Sequence, residues 1–121
     1  MIDLEDFRTK LSLELLSPTT KTQLDISVTD INRPGMQFCG FYEYFAHERP
    51  QVIGKVEMTY LESLDVRARR PVLEKYMSYP IPCIISCWGM TPPRDLLDIA
   101  RAHDIPVFQS KLKTTKFTLQ A

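Results

Sequence analysis

With 121 residues, 44% of them hydrophobic, the sequence can bury one core and predicts a single domain over residues 1–121. Fifteen Lys and Arg residues balance fifteen Asp and Glu residues, so no excess charge indicates binding to nucleic acid or to an anionic membrane surface. The apolar runs are short and the N-terminus is acidic, which excludes an export signal or a membrane span and favours a cytoplasmic protein.

The first predicted element is an amphipathic helix at the N-terminus that ends near Pro18. Its apolar residues recur at helical spacing: Leu4, Phe7, Leu11 and Leu15. Residues 24–29 then alternate apolar and polar side chains, which is typical of a strand with one buried face. An Asn-Arg-Pro-Gly turn at residues 32–35 breaks this strand.

Aromatic residues follow the turn at spacings that suit one face of a short helix: Phe38, Phe41, Tyr42 and Phe45. Residues 52–57 predict the next strand of the sheet. Residues 59–77 have a helical pattern. Pro71 either cuts this region into two pieces or marks the first turn of the second piece.

A continuous apolar run at residues 83–88 predicts a strand that is covered on both faces and lies at the centre of the sheet. This pattern predicts that Ile84, Ile85 and Trp88 are buried. The hydroxyl of Ser86, inside the same run, is expected to bond to the backbone.

The clearest helix spans residues 91–104, where Thr91 can cap and the two following prolines suit the first turn. Residues 106–109 predict a short strand, and the residues after Ser110 start a new element without an obvious ending, which suggests a chain cut short. The alternation of elements predicts an α/β fold: a layered sheet of about four to five strands, largely parallel or mixed, with helices packed against it.

The three cysteines, Cys39, Cys83 and Cys87, are an odd number and predict free, buried thiols. On one strand, Cys83 and Cys87 would stand roughly 13 Å apart, too far for a disulfide or a shared metal ion. The two histidines, His47 and His103, stand at no standard zinc-binding spacing, so no metal site is predicted.

Gly35 and Gly40 match the first half of a GxxxxGK[ST] phosphate loop. Phe41 and Tyr42 stand where that loop needs a lysine for the outer phosphates and a hydroxyl for magnesium, so the match is spurious. No serine stands in a G-x-S-x-G elbow either. We therefore expect no catalytic residue and no cofactor site in this chain.

Arg67, Arg69 and Arg70 form a small basic cluster in the second helical region. A solvated helix face explains such a cluster better than a phosphate or RNA contact. No nucleic-acid partner is therefore expected.

From about Asp25 onward, the sequence resembles the N-terminal domain of HPr kinase/phosphorylase, a bacterial enzyme that acts on a serine of the phosphocarrier protein HPr. The resemblance depends on the order and spacing of several segments: Arg33-Pro34-Gly35, Gly40 with its aromatic residues, "HER" with "QVIGKVEMTYL", "PCIISCWGM", "RDLLDIARAHDIPVF" and "SKLKTTKFT". Each segment alone is a weak signal, and together they are fairly specific.

In that family, the ATP site, the magnesium ligands and the catalytic residues belong to a C-terminal domain, which is absent from this chain. The resemblance implies a parent enzyme that phosphorylates HPr with ATP or pyrophosphate, removes the phosphate by phosphorolysis and assembles as a hexamer. The chain itself is then expected to be a non-catalytic regulatory or interaction module in the control of carbohydrate metabolism through the phosphotransferase system. A stand-alone small-ligand sensor is the alternative, and an independent enzyme is a third reading.

The fold of the family domain resembles the substrate-binding domain of Mur ligases, in which a strand leads through an Asp and a Pro-Gly turn to a uridine nucleotide site. Here the aromatic residues after the turn replace the polar residues of Mur ligases. Ligands of open α/β sheets bind at the carboxyl ends of the strands, which predicts a small-ligand site at this edge. Its candidate residues are Asn32, Arg33, Gly35 and Gly89 beside Trp88, with Lys113, Thr114 and Thr115 completing it.

The guanidinium of Arg33 is a planar donor fork that suits a phosphate or carboxylate, and glycine allows close approach of a ligand to the backbone. The alternative is structural. Arg33 then braces the turn, and Gly35 and Gly89 serve backbone conformations that other residues avoid.

Overall fold

The computed structural model describes residues 1–26 and 30–112. Its strands within these ranges are Ile2–Asp3 (β1), Glu14–Leu15 (β2), Gln23–Leu24 (β3), Gln51–Ile53 (β4), Ile84–Ser86 (β5) and Val107–Gln109 (β6). Its helices are Leu4–Lys10 (α1), Gly35–Phe38 (α2), Lys55–Ser63 (α3), Val66–Met77 (α4) and Arg94–Ala102 (α5).

Within the described residues, the central sheet has four strands in the order β2-β6-β5-β4. β4, β5 and β6 are parallel, and β2 joins the sheet antiparallel to β6. A separate antiparallel pair joins β1 and β3. The α/β fold with a mixed, helix-covered sheet is confirmed.

Helices cover both faces of the central sheet. Val52, Ile85 and Phe108 stand side by side on neighbouring strands and pack with α1. Ile53, Ile84 and Val107 point to the other face, where they pack with apolar residues of α2, α3, α4 and α5. This alternation follows from the two-residue period of a strand.

The prediction for residues 83–88 is right for the strand and wrong for its last residue. β5 is an interior strand, Ile84 and Ile85 are fully buried, and the Ser86 hydroxyl donates to the Met90 carbonyl over 2.8 Å. Trp88, by contrast, is 37% exposed. Because β5 ends at Ser86 and the chain then turns, the indole leaves the core.

The predicted N-terminal helix is too long. α1 ends at Lys10, Ser12 adopts a φ of 54°, and the chain returns so that Leu15 enters β2. Of the strand predicted at residues 24–29, only Leu24 lies in a strand, β3. Residues 25–26 lie in no strand, and residues 27–29 lie outside the described residues.

The bounds predicted for residues 52–57 and 59–77 also differ from the structure. The strand predicted at residues 52–57 ends at Ile53, because α3 begins at Lys55. The helical region is divided at Leu64 and Asp65, where the Asp65 side chain caps α4, and Pro71 lies inside α4.

The predicted cap of the last helix is also wrong. α5 begins at Arg94 with Pro93 in the capping position, so Thr91 is not the cap and the prolines precede the helix. The predicted strand at residues 106–109 is confirmed as β6.

The aromatic residues after the turn do not share one helical face. α2 ends at Phe38 and Gly40 adopts a φ of 97°, so the later aromatics lie in a loop. Phe38 and Phe45 are buried in the core, whereas Phe41 is about half exposed. Spacing alone therefore predicted a continuous helix where a glycine ends it.

The cysteines of the described chain are free, as expected. Cys83 and Cys87 are buried, whereas Cys39 is exposed, contrary to the prediction that all three are buried. None of the helices in the described ranges combines the length and apolar character needed to cross a bilayer.

Candidate functional site

Asn32 lies in a backbone bridge beside β4 and uses its side chain for internal hydrogen bonds. Its backbone N–H donates to the Pro50 carbonyl over 2.9 Å, and its carbonyl accepts from Val52 over 2.8 Å. Its side-chain amide donates to Gln51 Oε1 over 2.8 Å and to Gln37 Oε1 over 3.3 Å. These contacts tie the predicted turn to the sheet and to α2.

Gln51 is the fully buried centre of this network. Its Oε1 accepts from Asn32 and from the Tyr76 hydroxyl over 2.9 Å, and its Nε2 donates to the carbonyls of Ala46 and Arg49. Both donors and both acceptor positions of the amide are therefore used, as a buried amide requires. Asn32 is thus part of a satisfied structural network.

Arg33 forms a bidentate ion pair with the nearly buried Glu57 of α3. Its Nε donates to Glu57 Oε2 over 2.9 Å and its Nη2 donates to Glu57 Oε1 over 2.8 Å. Glu57 Oε1 also accepts from the Gly54 N–H over 2.8 Å, which caps the start of α3. The Arg33 fork therefore braces the turn against α3.

The ion pair changes the acid–base properties of both side chains. Burial would raise the pKa of the Glu57 carboxyl, but the hydrogen bonds from Arg33 and the Gly54 N–H outweigh burial and hold this pKa below its ordinary value. The hydrogen bonds to Glu57 raise the pKa of Arg33. Both groups are therefore charged at neutral pH.

Arg33 keeps donors that the ion pair does not use. Its Nη1 group and the second N–H of Nη2 donate to no residue in the described ranges. The Arg33 side chain is 43% exposed, so these donors can be reached from solvent.

The two glycines of the candidate site differ in their backbone requirements. Gly35 is the first residue of α2, has no positive φ, and a Cβ there would lie 3.9 Å from the Glu57 side chain, an ordinary contact. Gly89 has a φ of 62°, which favours glycine. Only Gly89 therefore has a conformation that accounts for its residue type.

Trp88 and Gly89 form a turn that is held by the segment after β6. Trp88 also has a positive φ, of 63°, and its N–H donates to the Leu112 carbonyl over 2.8 Å. The Gly89 N–H donates to the Ser110 carbonyl over 2.7 Å. The Gln109 amide donates to the carbonyls of Gly89 and Met90, which fixes the turn from its other side.

The first turn of α3 contacts both parts of the candidate site. Glu57 binds Arg33, and the Lys55 ammonium lies 3.8 Å from the centre of the Trp88 ring. The first turn of α3 therefore links the Asn32–Gly35 turn to the Trp88–Gly89 turn. Lys113, Thr114 and Thr115 lie outside the described residues, so a ligand site that includes them stays a prediction.

Sequence reasoning missed the residues that organise this region: Gln51, Lys55, Glu57 and Tyr76. Glu57 stands three residues after Gly54, a spacing that is typical of the start of a helix. The pattern of residues 52–57 predicts a strand, and this conceals the signal of a helix start.

An open groove of about 550 Å³ lies between α2 and α3, and we call it the α2–α3 groove. The Arg33–Glu57 pair forms the charged part of its wall. The other lining residues are mostly apolar: Gly35, Met36, Phe38, Cys39, Val56 and Tyr60. Its volume is within the range of about 300–1,000 Å³ that is usual for ligand pockets. Sequence reasoning did not anticipate it.

Comparison with known proteins places the whole chain in one family. A family model for the HPr serine kinase N terminus matches residues 2–121. The chain is 46% identical to HPr kinase/phosphorylase from Alkaliphilus metalliredigens over 115 residues, which are 95% of this chain and 37% of that protein. It is 42% identical to HPr kinase/phosphorylase from a Thermoanaerobacter species over 118 residues, 96% of this chain and 38% of that protein.

The fold is also similar to that of a solved structure. This is a crystal structure of the CBS and DRTGG domains of the regulatory region of Clostridium perfringens pyrophosphatase, complexed with the activator diadenosine tetraphosphate. The match has a TM-score of 0.63 and 14% identity, and it covers 93% of this chain and 43% of the other. At this identity the likeness concerns the fold alone.

The curated relatives are much longer than the region they share with this chain, which spans only 37% and 38% of the two described above. The shared region nevertheless includes almost the whole of the present sequence. The chain therefore belongs to the family of HPr serine kinase N-terminal domains.

Proposed function

We propose that this chain is a non-catalytic regulatory or interaction module of an HPr serine kinase/phosphorylase. The observation that carries this proposal is the family match over residues 2–121. The matched region makes up only 37–38% of the length of the two relatives. The module acts within a larger enzyme that controls carbohydrate metabolism through the phosphotransferase system.

The larger enzyme, in this proposal, phosphorylates HPr with ATP or pyrophosphate and removes the phosphate by phosphorolysis. ATP and magnesium bind in the part of the enzyme that this chain does not match. HPr is the protein partner, the enzyme assembles as a hexamer, and it works in the cytoplasm. Each of these properties is an expectation for the parent enzyme.

The contacts within the described chain support a non-catalytic role. A phosphate loop needs free backbone N–H groups, a lysine and a hydroxyl, whereas here Gly35 starts the short helix α2. Tyr42 stacks on Tyr79 with ring centres 5.1 Å apart, so its ring is part of the aromatic packing. The Arg33 fork is already occupied by Glu57.

The similar fold of the pyrophosphatase region adds a further point. That region is described as regulatory and was crystallised with an activator. A domain of this fold therefore occurs in the regulatory region of another enzyme. This supports a regulatory role here, without indicating a ligand.

Three experiments test the proposal. The 121-residue chain, incubated with HPr and magnesium-ATP, is expected to give no phosphorylated HPr by mass spectrometry, and calorimetric titration with magnesium-ATP is expected to give no heat of binding. In the A. metalliredigens relative, deletion of the matching N-terminal region is expected to preserve phosphotransfer but to change its regulation or its HPr affinity.

Either of two results would contradict the proposal. One is phosphorylation of HPr by this chain alone. The other is a deletion variant that retains its circular dichroism spectrum but has lost phosphotransfer, because the N-terminal region would then contribute to the chemistry. Exchange of the relative's region for the present chain is the matched control and is expected to restore wild-type behaviour.

A further inference from the structure

The guanidinium of Arg33 has two edges that can bind a carboxylate, and the fold occupies one of them. The edge formed by Nε and Nη2 donates to Glu57 over 2.9 and 2.8 Å. The other edge has one N–H of Nη1 beside one N–H of Nη2, and neither donates to a residue in the described ranges. Because these two N–H bonds are parallel, the free edge matches the two oxygens of a second carboxylate.

Arg33 is part of the wall of the α2–α3 groove, and the groove offers donors at its charged part. The Arg33 side chain is partly exposed, whereas its partner Glu57 is nearly buried. Both oxygens of Glu57 already accept hydrogen bonds, from Arg33 and from the Gly54 N–H. A ligand in this groove therefore finds N–H donors rather than acceptors, which selects a ligand that brings its own acceptor oxygens.

The rest of the wall favours a ligand with an apolar body. Met36 of α2 and Val56 of α3 expose 60% and 76% of their surface to solvent, and Phe38 is buried in the core behind them. Tyr60 of α3 interacts with Cys39, the residue that follows α2. Exposed apolar side chains around a concave surface, with one charged group among them, are typical of sites for small amphipathic molecules.

The charges around the groove suit one negative charge on the ligand. The charges of Arg33 and Glu57 cancel, and Lys55, the residue before Val56, adds a positive charge on the same turn of α3. A carboxylate carries a single charge, and both of its oxygens fit the free edge of Arg33. A phosphate group carries about two negative charges and a third oxygen, and no second cation lines the described wall of the groove.

We propose that the α2–α3 groove binds a small monocarboxylate with an apolar body, such as a straight-chain carboxylate of medium length. The free edge of Arg33 holds the carboxylate, and the apolar body lies between Met36 and Val56 and extends toward Tyr60. The ion pair with Glu57 fixes the orientation of the guanidinium, so that Arg33 both braces the turn and binds the ligand. This inference goes beyond the regulatory role proposed above and does not depend on it.

The test uses octanoate as the probe and Cys39 as the reporter, in the full 121-residue chain. Cys39 lines the groove and is exposed, whereas Cys83 and Cys87 are buried, so iodoacetamide is expected to alkylate Cys39 first. Octanoate is expected to slow this alkylation, with half-maximal protection at about 1 mM or below. At the same concentration, octan-1-ol lacks the carboxylate and acetate lacks the apolar chain, so both are expected to leave the rate unchanged. Peptide mass spectrometry measures the rate at each cysteine.

Three variants test the contacts, and the protection of each is compared with its own rate without ligand. Arg33→Lys keeps a cation for Glu57 but lacks the planar fork, so the octanoate concentration for half-maximal protection is expected to rise about tenfold. Val56→Asp adds a carboxylate to the wall and is expected to abolish protection. Val66→Asp, the same substitution at an exposed position of α4 outside the groove, is the matched control and is expected to bind like the wild type. Circular dichroism checks that each variant is folded.

Three results would overturn the proposal. The first is a wild-type chain in which octanoate up to about 10 mM does not slow the alkylation of Cys39. The second is equal protection by octan-1-ol, because the groove would then bind apolar chains without recognising the carboxylate. The third is protection that folded Arg33→Lys and Val56→Asp variants retain in full, because octanoate would then bind elsewhere.

Discussion

Arg33 gives two of its N–H donors to a single carboxylate, that of Glu57, and so joins the turn before α2 to the first turn of α3. We expect Arg33→Ala to lower the free energy of unfolding by about 1–3 kcal/mol, because the nearly buried carboxylate loses its charged partner. Urea unfolding followed by circular dichroism measures the change. Glu5→Ala, which removes the exposed pair with Arg8, is the control and should cost clearly less than Arg33→Ala. Equal effects of the two substitutions would show that the Arg33–Glu57 pair is no stronger than a surface pair.

Substitution of Gln51 is expected to lower the free energy of unfolding more than substitution of Tyr76, the tyrosine that donates to it. Gln51→Leu leaves the Tyr76 hydroxyl and the carbonyls of Ala46 and Arg49 without their partner, and should cost about 2–4 kcal/mol. Tyr76→Phe removes one bond while Asn32 still donates to Gln51, and should cost about 1 kcal/mol. Equilibrium denaturation ranks the two variants. The reverse ranking would contradict the hydrogen-bond network described above.

The two glycines of the candidate site give opposite predictions for alanine. Gly89→Ala forces a side chain into a left-handed conformation and should destabilise the fold by about 1 kcal/mol or more. Gly35→Ala places a Cβ in ordinary contact at the start of a helix and should be neutral or slightly stabilising. Thermal unfolding of both variants is the measurement. A loss of stability at Gly35 as large as that at Gly89 would indicate a role other than backbone conformation.

The buried strand β5 should tolerate no charge. Ile85 is fully buried between neighbouring strands and α1, so Ile85→Asp would leave an unpaired carboxylate in the core and is expected to unfold the chain at 25 °C. Ile85→Ala is a milder variant that should still fold, and its free energy of unfolding is expected to fall by about 2–5 kcal/mol. Val66→Asp, at an exposed helix start, should change stability by about 0.5 kcal/mol or less. Near-wild-type melting of Ile85→Asp would exclude this strand from the core.

Asp104 is expected to make stability depend on pH in acid. Hydrogen bonds from the side chains of Thr20 and Thr19 and from the Thr20 N–H lower the pKa of Asp104 from its ordinary value of 3.8 to about 2. Because the folded pKa lies below the unfolded one, the stabilisation is complete above about pH 4 and is lost as the pH falls toward about 2.

Asp104→Asn isolates this contribution from that of other carboxyl groups, including Glu57. The difference in unfolding free energy between wild type and variant should be constant near neutral pH and should shrink between about pH 4 and pH 2. Urea titrations at several pH values measure this difference. A difference that does not change across the acid range would show that Asp104 titrates normally in the folded chain.

The elements that could be predicted from the sequence are those with an unambiguous pattern. The apolar run around Ile84 and Ile85 identified the interior strand, and the periodicity after Pro93 identified α5. The errors occurred at boundaries, where a local conformation overrides a pattern. Ser12 and Gly40 adopt a positive φ and end helices that the spacing of apolar residues would extend.

The sequence predicts which segments of the chain form the candidate site, but not which side chains contact one another there. That the Asn32–Gly35 turn and the Trp88–Gly89 turn lie at one end of the sheet follows from parallel strand order. The partners of these residues do not follow from the sequence, because Glu57 is 24 positions away from Arg33 and the pattern of residues 52–57 predicts a strand. The basic cluster shows the same limit. The sequence predicts a solvated face for it, whereas Arg69 is mostly buried and pairs with Asp95 over 2.8 Å.

The pairing of β2 with β6 sets an order of events when the protein is made on a ribosome. Glu14 lies opposite Gln109, so β2, the first strand of the central sheet, cannot pair until Val107–Gln109 has been made. The Thr19 and Thr20 contacts with Asp104 depend on the same late arrival. The segments that form β4, α3, α4 and β5 emerge earlier and can pack on one another first. The edge of β5 that pairs with β6 therefore stays unpaired in the nascent chain until β6 has emerged from the ribosome.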